Sequence, residues 1–328
     1  MEILEKNKAL QDIKTFRVDL NQPMKNNFYR EGVLINGEYG WAEFAPFPHH
    51  SIVHSARWLQ SALEMAWTKL PEPKLTKVKA NAIAVSDDLE NVIDAVNRSG
   101  CKTLKIKLSG KNIDQEVNNL REITYNIQNI KFRIDFNGDL TLDEAVSFSN
   151  KSEGLPIEYL EQPCKTLKEI KELKQKIKTP IGIDESFRLE KEILNEDFIN
   201  EILESCDYLI VKVIPIGGIT RFLKLRDLLV PRFNRIVISG SMDTSVGLYL
   251  STLAQSIMEP ITGLAAGVGT GMLLKNDVTA SSILPADGLV DVKRLSVDIK
   301  NIVESPNKNE LIQKLNECFD FGRNNGWF

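Results

Sequence analysis

The stretch Ile157-Glu158-Tyr159-Leu160-Glu161-Gln162-Pro163 and the stretch Ile181-Gly182-Ile183-Asp184-Glu185 decide the fold of this chain. Each begins with a short apolar run that has the composition of a buried strand, and each run ends in a carboxylate. Helical patterns separate most runs of this kind along the chain. Strands that alternate with helices predict a parallel sheet, because parallel strands need a crossover connection. The two carboxylates are therefore expected at the same end of the sheet.

The same pattern extends outward from these stretches and covers most of the chain. Short apolar runs lie at residues 80–85, 103–108, 132–136, 157–160, 181–183, 208–213 and 235–238. The helical patterns between them include the apolar spacing from Ile113 to Ile127 and the capping-box sequence Thr141-Leu142-Asp143-Glu144. Seven such strands, with a weaker one near 263–267, favour a closed α/β barrel of the TIM type, and an open doubly wound sheet is the alternative.

The first 75 residues have a different organisation. Strand composition occurs at 13–20, 28–35 and 39–44. Asn36-Gly37 predicts a hairpin turn before the third run. Ser51 predicts a helix N-cap, and apolar residues three or four apart extend that helix to about Leu70. Because Pro71-Glu72-Pro73 ends the helix, we expect a domain boundary there.

The composition of the 328 residues excludes several classes of protein. Hydrophobic residues make up 42% and charged residues 26%, as in ordered globular chains. A net charge of −4 predicts no nucleic-acid partner. No apolar stretch is long enough for a membrane span, and the start Met1-Glu2-Ile3-Leu4-Glu5-Lys6 lacks the apolar core of a signal peptide. Four scattered cysteines predict reduced thiols in the cytoplasm, and a monomer is compatible with the sequence.

Charged or polar groups recur at the ends of successive strands of the predicted barrel. They are Lys105 and Lys107; Arg133, Asp135 and Asn137; Glu161; Asp184; Lys212; and Ser239-Gly240-Ser241. Strand residues two positions apart share a face of the sheet. In a barrel the carboxyl ends of the strands converge on one face, where active sites are built. Because single charges are costly to bury unless they pair or bind a metal, these groups predict a functional site.

Asp135, Glu161 and Asp184 are candidate metal ligands. Carboxylate oxygens suit a hard cation, and Mg²⁺ is expected, with Mn²⁺ as a substitute. Lys107 and Lys212 lie on either side of these acids in strand order, so in a closed barrel they can face each other across the metal. A desolvated lysine near another cation has a lowered pKa and can act as a base, while a metal stabilises the enediolate that proton removal creates. The alternative is a set of solvated charges at the barrel rim.

In this order the residues resemble the enolase superfamily, in its muconate-lactonizing branch. The resemblance rests on Lys105-x-Lys107, Asp135-x-Asn137, Glu161-Gln162-Pro163, Asp184-Glu185 and Lys212. The short chain, the loop at 40–46 and the glycine-rich segment at 267–271 are similar to the o-succinylbenzoate synthase family. The resemblance covers nearly the whole chain. It implies a (β/α)₇β barrel at 76–304 under an α+β capping domain formed by 1–75 and completed by about 305–328.

The resemblance also implies a reaction and a role for each residue. It implies a Mg²⁺-dependent carbon–oxygen lyase that dehydrates 2-succinyl-6-hydroxy-2,4-cyclohexadiene-1-carboxylate to o-succinylbenzoate in menaquinone biosynthesis. The partner is therefore a small-molecule carboxylate. Lys107 would be the acid and base, and Lys212 would stabilise charge from the other side. Asp135, Glu161 and Asp184 would hold Mg²⁺.

Three other functions fit parts of the pattern. A racemase of N-succinylamino acids would use Lys107 and Lys212 as two bases, whereas a dipeptide epimerase is expected to carry an Asp-x-Asp at the eighth strand, where 263–267 has no acid. A Schiff-base aldolase would use Lys212 as a nucleophile but leaves the carboxylates without a role. A binding barrel without activity predicts at least one broken member of the set, and none is broken.

Four residues near the predicted site have two interpretations each. Lys105 either tunes Lys107 by like charge or fills a polar layer. Arg133 and Asn137 either orient substrate or only contact strand neighbours such as Glu158. Glu185 either takes part in the site or forms an ion pair on the helix side.

The remaining polar and glycine-rich segments are assigned from the resemblance or as plain structure. By resemblance, Ser239, Gly240 and Ser241, with the glycines at 217–218 and 267–271, shape the pocket for a succinyl tail; a phosphate cradle is the alternative. His49, His50 and His54 are interpreted as a loop and a helix start rather than a zinc site, because no Cys or acid follows at ligand spacing. Loops at 21–30 and 43–51 are expected at the barrel mouth, and Arg30 is by resemblance a carboxylate contact.

Overall fold

The fold is described from a computed structural model that defines residues 5–24, 27–84 and 89–328. The start of the chain, where we expect no signal peptide, and Val85, the predicted end of a strand, lie outside the described residues. The strands are β1 (Ile13–Met24), β2 (Asn27–Gly37), β3 (Gly40–Phe44), β4 (Lys77–Lys79), β5 (Ala82–Ala84), β6 (Thr103–Lys107), β7 (Lys131–Asp135), β8 (Ile157–Glu161), β9 (Ile181–Ile183), β10 (Tyr208–Lys212), β11 (Ile236–Ser239) and β12 (Leu289–Asp291). The helices are α1 (Lys6–Ala9), α2 (Ile52–Trp67), α3 (Leu89–Ser99), α4 (Ile113–Asn126), α5 (Leu142–Lys151), α6 (Leu167–Lys176), α7 (Glu185–Arg188), α8 (Glu196–Ser205), α9 (Ile219–Leu229), α10 (Ser245–Thr262) and α11 (Lys308–Asn324), with 3₁₀ turns at Gly269–Leu273 and Ile299–Asn301.

The amino-terminal region is an antiparallel sheet in the order β1-β2-β3, covered by α2. The hydroxyl of Ser51 accepts a hydrogen bond from the backbone N–H of His54, so the predicted N-cap is confirmed. Helix α2 ends at Trp67 rather than near Leu70, because Thr68 already has an extended backbone. From the other end of the chain, α11 packs on α2.

The turn between β2 and β3 was placed two residues too early by the sequence pattern. Pairing continues through Asn36↔Trp41 to Gly37↔Gly40, so Glu38 and Tyr39 form the turn. A Cβ on Gly37 would lie 2.5 Å from the carbonyl oxygen of Ala66, so this glycine is needed for the approach of α2. The Asn-Gly pair therefore reflects packing rather than a turn.

The rest of the chain forms a parallel sheet in the order β5-β6-β7-β8-β9-β10-β11, and an eighth segment closes it. Ala266 pairs with Ala80 and Gly267 pairs with Ser239, both in parallel. The N–H of Gly240 donates to the oxygen of Gly267 at 3.0 Å, and the N–H of Asn81 donates to the oxygen of Ala266 at 2.8 Å. The closed barrel is thus confirmed, although its first regular strand is shorter than the predicted run at 80–85.

Helices α4 and α5 begin where the sequence predicts them to. Thr141 and Glu144 form a reciprocal capping box at the start of α5, and Thr166 and Glu169 form a second one at α6. Strands β9 and β11 are buried on both faces, as expected for a sheet enclosed by helices. This arrangement fixes the carboxyl ends of the strands at one rim.

Helix α2 also contacts the barrel directly. The carboxylate of Glu64 accepts from the backbone N–H groups of Ile219 at 2.6 Å and Thr220 at 2.9 Å, and so caps α9. A Cβ on Gly218 would lie 2.1 Å from Glu64 Oε2, and one on Gly217 would lie 2.6 Å from Gln60 Oε1. Our assignment of this glycine pair to the substrate pocket was wrong, since both glycines make room for α2.

Two further observations concern the environment of the chain. None of the helices in the described ranges has the length and apolarity needed to cross a membrane. All four cysteines are free and buried, in agreement with reduced thiols.

Candidate active site

The carboxyl ends of the barrel strands open into a cavity of about 610 Å³. The predicted residues that line it are Lys105, Lys107, Asp135, Asn137, Lys212, Ser239, Gly240 and Ser241. Glu161 and Asp184 are fully buried; Glu161 forms an ion pair with Lys105, and Asp184 forms one with Lys212. The strand register explains the convergence, because Lys107 is opposite Asp135 and Asp135 is opposite Glu161 on neighbouring strands.

Lys105 lies between two of the predicted metal ligands. Its Nζ is 2.6 Å from Glu161 Oε1 and 3.0 Å from Asp135 Oδ2, and its side chain is only 8% exposed. Burial disfavours its charge, but Asp135 and Glu161 outweigh burial and raise its pKa well above the ordinary value. Burial raises the pKa of Glu161 to about 7, whereas the lysines, against the effect of burial, lower that of Asp135. Lys105 is therefore a fixed cation of this cluster.

Asp184 is held by two cations. Lys212 Nζ lies 2.6 Å from Asp184 Oδ2, and Arg188 Nε lies 2.9 Å from Asp184 Oδ1. Although burial acts in the opposite direction, these partners keep the pKa of Asp184 well below its usual value. Our sequence analysis missed Arg188, although its position four residues after Asp184 on the one-turn helix α7 was an available signal.

Lys107 differs from the other two lysines in its contacts. Its nearest hydrogen-bond partner is the neutral Oδ1 of Asn137 at 3.1 Å, and Asp135 Oδ2 is 4.0 Å away. Its side chain is 25% exposed and lines the cavity. Burial lowers the pKa of Lys107, and the neighbouring cations Lys105 and Lys212 lower it further against the pull of Asp135.

Asn137 and Glu185 connect Lys107 to the helix side of the site. The amide nitrogen of Asn137 lies 3.4 Å from Glu185 Oε1, which Arg188 also binds at 2.8 Å. Glu185 lines the cavity, and its Oε2 is buried without a partner in the described structure. Both interpretations of Glu185 therefore hold: it forms a helix-side ion pair and belongs to the site.

Arg133 does not line the cavity. Its Nε is 2.6 Å from Glu158 Oε2, and its NH1 donates to Asn81 Oδ1 at 3.0 Å and to the carbonyl of Ala265 at 2.8 Å. The side chain is fully buried within the barrel. Its contacts match the neighbour-contact interpretation and not the predicted role as a substrate contact.

The three carboxylates fit a hard divalent cation by their chemistry. Within the described ranges, no three acidic, imidazole or thiol groups already converge closely enough to bind one metal ion, since ammonium groups separate these acids. Glu161 Oε2, however, is fully buried and has no partner there. A buried, unpartnered carboxylate oxygen is costly, and a cation would satisfy it.

The opposite side of the cavity carries hydroxyl groups. Ser239, Gly240 and Ser241 line it from the end of β11, together with Gly267 and Thr270 from the closing segment. Ser241 Oγ and Thr270 Oγ1 are buried and have no hydrogen-bond partner among the described residues. Thr270 could not be predicted from the sequence, because a single threonine in a loop gives no signal of its own; only the glycines of its segment stand out.

The loop between β3 and α2 forms the upper wall. Phe47, His49, His50 and His54 line the cavity, so the expected position of this loop at the mouth is confirmed. Arg30 does not reach the cavity: its Nε donates to the carbonyl of Met242 at 3.1 Å and its guanidinium stacks on Phe47. The predicted carboxylate contact by Arg30 was wrong, because its donors hold two wall segments in place.

Comparison with protein families matches both parts of the chain. The enolase N-terminal domain-like family matches residues 20–66, and the enolase C-terminal domain-like family matches residues 87–296. A protein of Thermobifida fusca (strain YX) named o-succinylbenzoate synthase is 30% identical over 296 residues, which cover 89% of this chain and 90% of that protein.

Solved structures show the same fold at low sequence identity. Muconate lactonizing enzyme from Pseudomonas fluorescens, complexed with muconolactone, superposes with a TM-score of 0.74 at 14% identity over 90% of this chain and 98% of its own. A putative mandelate racemase/muconate-lactonizing enzyme from Roseovarius nubinhibens ISM, complexed with magnesium, gives 0.67 at 19% identity over 90% and 97%. The barrel with its capping region is therefore a fold shared with these proteins.

Proposed function

The chain belongs to the enolase superfamily and, within it, to the o-succinylbenzoate synthases, and from this premise we propose how its residues carry out the reaction. The reaction removes water from 2-succinyl-6-hydroxy-2,4-cyclohexadiene-1-carboxylate, in menaquinone biosynthesis, and leaves o-succinylbenzoate. The assignment of roles rests on the position of Lys107, which reaches the cavity without a close ion pair.

Lys107 is the base and then the acid. Its Nζ takes the proton from the ring carbon that bears the carboxylate, and the electron pair of that C–H bond moves onto the carboxylate group. When this pair returns to the ring, the C–O bond on the adjacent carbon breaks. The departing hydroxide takes the proton back from Lys107 and leaves as water, and the aromatic ring that forms favours the forward direction.

In the dehydration, Lys212 and Lys105 act as fixed charges rather than bases. Each is ion-paired at 2.6 Å, Lys212 with Asp184 and Lys105 with Glu161. Lys212 lines the cavity and can stabilise the negative charge that develops on the substrate. Asn137 accepts from Lys107 and orients its amine.

Asp135, Glu161 and Asp184 are proposed to hold Mg²⁺, which Mn²⁺ can replace. When bound, the ion supplies positive charge next to the oxygens that carry the negative charge of the deprotonated substrate. Support comes from the hard oxygen donors and from the unpartnered, buried Oε2 of Glu161. The charges of Lys105 and Lys212 would still neutralise these acids around the ion.

The hydroxyl-lined side of the cavity is proposed to bind the succinyl group. Ser239, Ser241 and Thr270 can donate to carbonyl or carboxylate oxygens, and Gly240 and Gly267 leave room for them. We also propose a division of the chain into two domains. Residues 1–75 and about 305–328 form a capping domain over a barrel at 76–304, since α11 packs on α2. Free, buried thiols support a place in the cytoplasm.

The direct test compares two substrates with the purified protein and Mg²⁺. We expect turnover of the cyclohexadiene carboxylate to o-succinylbenzoate, which is measured by the absorbance of this aromatic product. Racemisation of an N-succinylamino acid, followed by polarimetry, is expected to be slower, because Lys212 is tied to Asp184 and serves poorly as a second base. Absence of dehydration with correctly metal-loaded, folded protein would overturn the proposed function.

A further inference from the structure

The histidines of the upper wall have no role in the proposed reaction, and His50 differs from His54. His54 is fully engaged: its Nδ1 accepts from Ser51 Oγ at 3.0 Å, and its Nε2 donates to the carbonyl of Leu189 at 3.0 Å. No hydrogen bond joins the His50 ring to any part of the protein that the structure describes, and its Nδ1 is buried without a partner. A ring with unused polar atoms that lines a ligand cavity indicates a ligand contact.

The ring of His50 is held firmly in place. It packs edge-on against Phe47, with centroids 5.4 Å apart, and tilted against Trp58 at 5.9 Å. Its backbone N–H donates to the carbonyl of Phe47 at 3.0 Å, which closes a tight turn. A ring fixed in this way can present one atom at a defined place without a further loss of side-chain freedom.

The environment also determines the form of the imidazole. Burial first, and then the positive charges of Arg188 and Lys314, lower the pKa of His50 to about 3. The ring is therefore neutral and carries one N–H. Because Nδ1 is buried and meets no acceptor, we assign the hydrogen to Nε2, the nitrogen that is not buried.

We propose that His50 is a specificity-determining residue that donates its Nε2–H to an oxygen of the substrate's acyl tail. The inference rests on the proposed function. The reacting carbon and the ring carboxylate must lie beside Lys107 and the acids at the barrel strands, whereas His50 belongs to the loop at the mouth. The part of the substrate that extends toward the mouth is thus the part farthest from the reacting bond.

The neighbours of His50 in the wall suit such a tail. Phe47 contacts the His50 ring, and Leu189 and Met242 line the same cavity, so these side chains present apolar surface to methylene groups. A neutral donor among apolar side chains can donate to either a keto oxygen or a carboxylate oxygen, and both occur in a succinyl group. Neither oxygen is present on a benzoate that lacks the tail.

The experiment measures ligand affinity and not turnover. Dissociation constants are determined calorimetrically, with Mg²⁺ present, for benzoate, 2-acetylbenzoate and o-succinylbenzoate on the wild type and on His50→Phe. Phenylalanine keeps the ring packing against Phe47 and Trp58 but removes both nitrogens. We expect the preference for o-succinylbenzoate over benzoate to fall by about tenfold in the variant, the effect of one hydrogen bond to a polar or charged group. His50→Gln, which places an N–H near the same position, is expected to recover most of that preference.

The three ligands distinguish the possible outcomes. If the keto oxygen is the acceptor, 2-acetylbenzoate loses as much affinity as o-succinylbenzoate; if the tail carboxylate is the acceptor, only o-succinylbenzoate is affected. Trp58→Phe, which loosens the packing behind His50 but keeps its N–H, is expected to lower the preference less than His50→Phe does. An equal loss for all three ligands, or no loss, would overturn the role of His50. If the wild type itself did not prefer o-succinylbenzoate to benzoate, the proposed function would fail instead.

Discussion

Two groups of buried carboxylates in the described chain differ in their hydrogen bonding. At the junction of cap and barrel, both oxygens of Glu64 accept backbone N–H groups of α9, and Glu43 accepts from Thr244 and Gly247. At the strand ends, Glu161, Glu185 and, in the loop after β11, Asp243 each have one buried oxygen without a partner in the described chain. Saturated carboxylates, whose oxygens all accept hydrogen bonds, hold the amino-terminal region to the barrel. Unsaturated carboxylates, which have an oxygen without a partner, mark the place where a ligand completes the structure.

The largest expected effect is in the unsaturated region. Lys107→Ala should remove dehydration, because loss of general acid–base catalysis alone costs ~10²–10⁴-fold and the charge beside the acids is lost as well. It should also abolish exchange of the α-proton with D₂O. Both are measured on folded protein, by product absorbance and by mass spectrometry.

Lys212→Arg is the matched control for this lysine. Arginine keeps a cation beside Asp184 but stays protonated and cannot act as a base. Some dehydration should remain, whereas racemisation of an N-succinylamino acid should disappear. Dehydration by Lys107→Ala, or racemisation by Lys212→Arg, would contradict the assignment of base and fixed charge.

The second effect concerns the metal ligands. Chelation should abolish turnover, and Mg²⁺ or Mn²⁺ should restore it. Glu161→Gln removes a charge at nearly constant shape and should weaken Mg²⁺ binding, measured by calorimetry on the apo protein. Full activity after verified removal of all metal would show that the unpartnered Glu161 oxygen has another purpose.

The third effect lies in the saturated region and appears in stability. Glu64→Ala leaves the N–H groups of Ile219 and Thr220 without acceptors, and we expect a loss of ~1–3 kcal/mol of the free energy of unfolding. Gly218, the N-cap residue, has no side chain to replace the carboxylate. Urea denaturation measures the loss, and kcat of the folded fraction should change little.

Glu64→Gln is the control for that substitution, since it keeps one acceptor oxygen and should lose less stability. Equal losses for both variants would mean that charge rather than hydrogen bonding holds α2 to α9. A large fall in kcat would instead place the junction within the catalytic machinery.

The same contrast explains what could be predicted from the sequence. The order Lys107, Asp135, Glu161, Asp184, Lys212 follows strand ends, and the barrel register brings such residues together whatever the helices do. Contacts between segments that are far apart in the sequence leave no repeating pattern in it. Gly217 and Gly218 resembled pocket glycines but face α2, and Arg30 binds carbonyls of two loops. Thr270 and His50 reach the cavity only through loop geometry, which a local pattern cannot encode.

The last expected effect is a pH dependence of stability from Glu43. Burial first and Asp243 second raise its pKa to about 8, against the opposing charge of Arg30; Asp277 raises it further. The folded chain therefore keeps a proton that the unfolded chain releases near its ordinary value of 4.5. This contribution to stability is complete at low pH and is lost as the pH rises through about 8.

Glu43→Gln cannot ionise, so the stability of the wild type relative to this variant should fall between about pH 5 and pH 8. Urea denaturation of both proteins across that interval measures the difference, and Glu38→Gln, in the exposed β2–β3 turn, serves as the control. Parallel curves for wild type and Glu43→Gln would mean that Glu43 stays ionised when folded. Its hydrogen bonds from Thr244 and Gly247 would then resemble those of a saturated, charged cap rather than of a protonated acid.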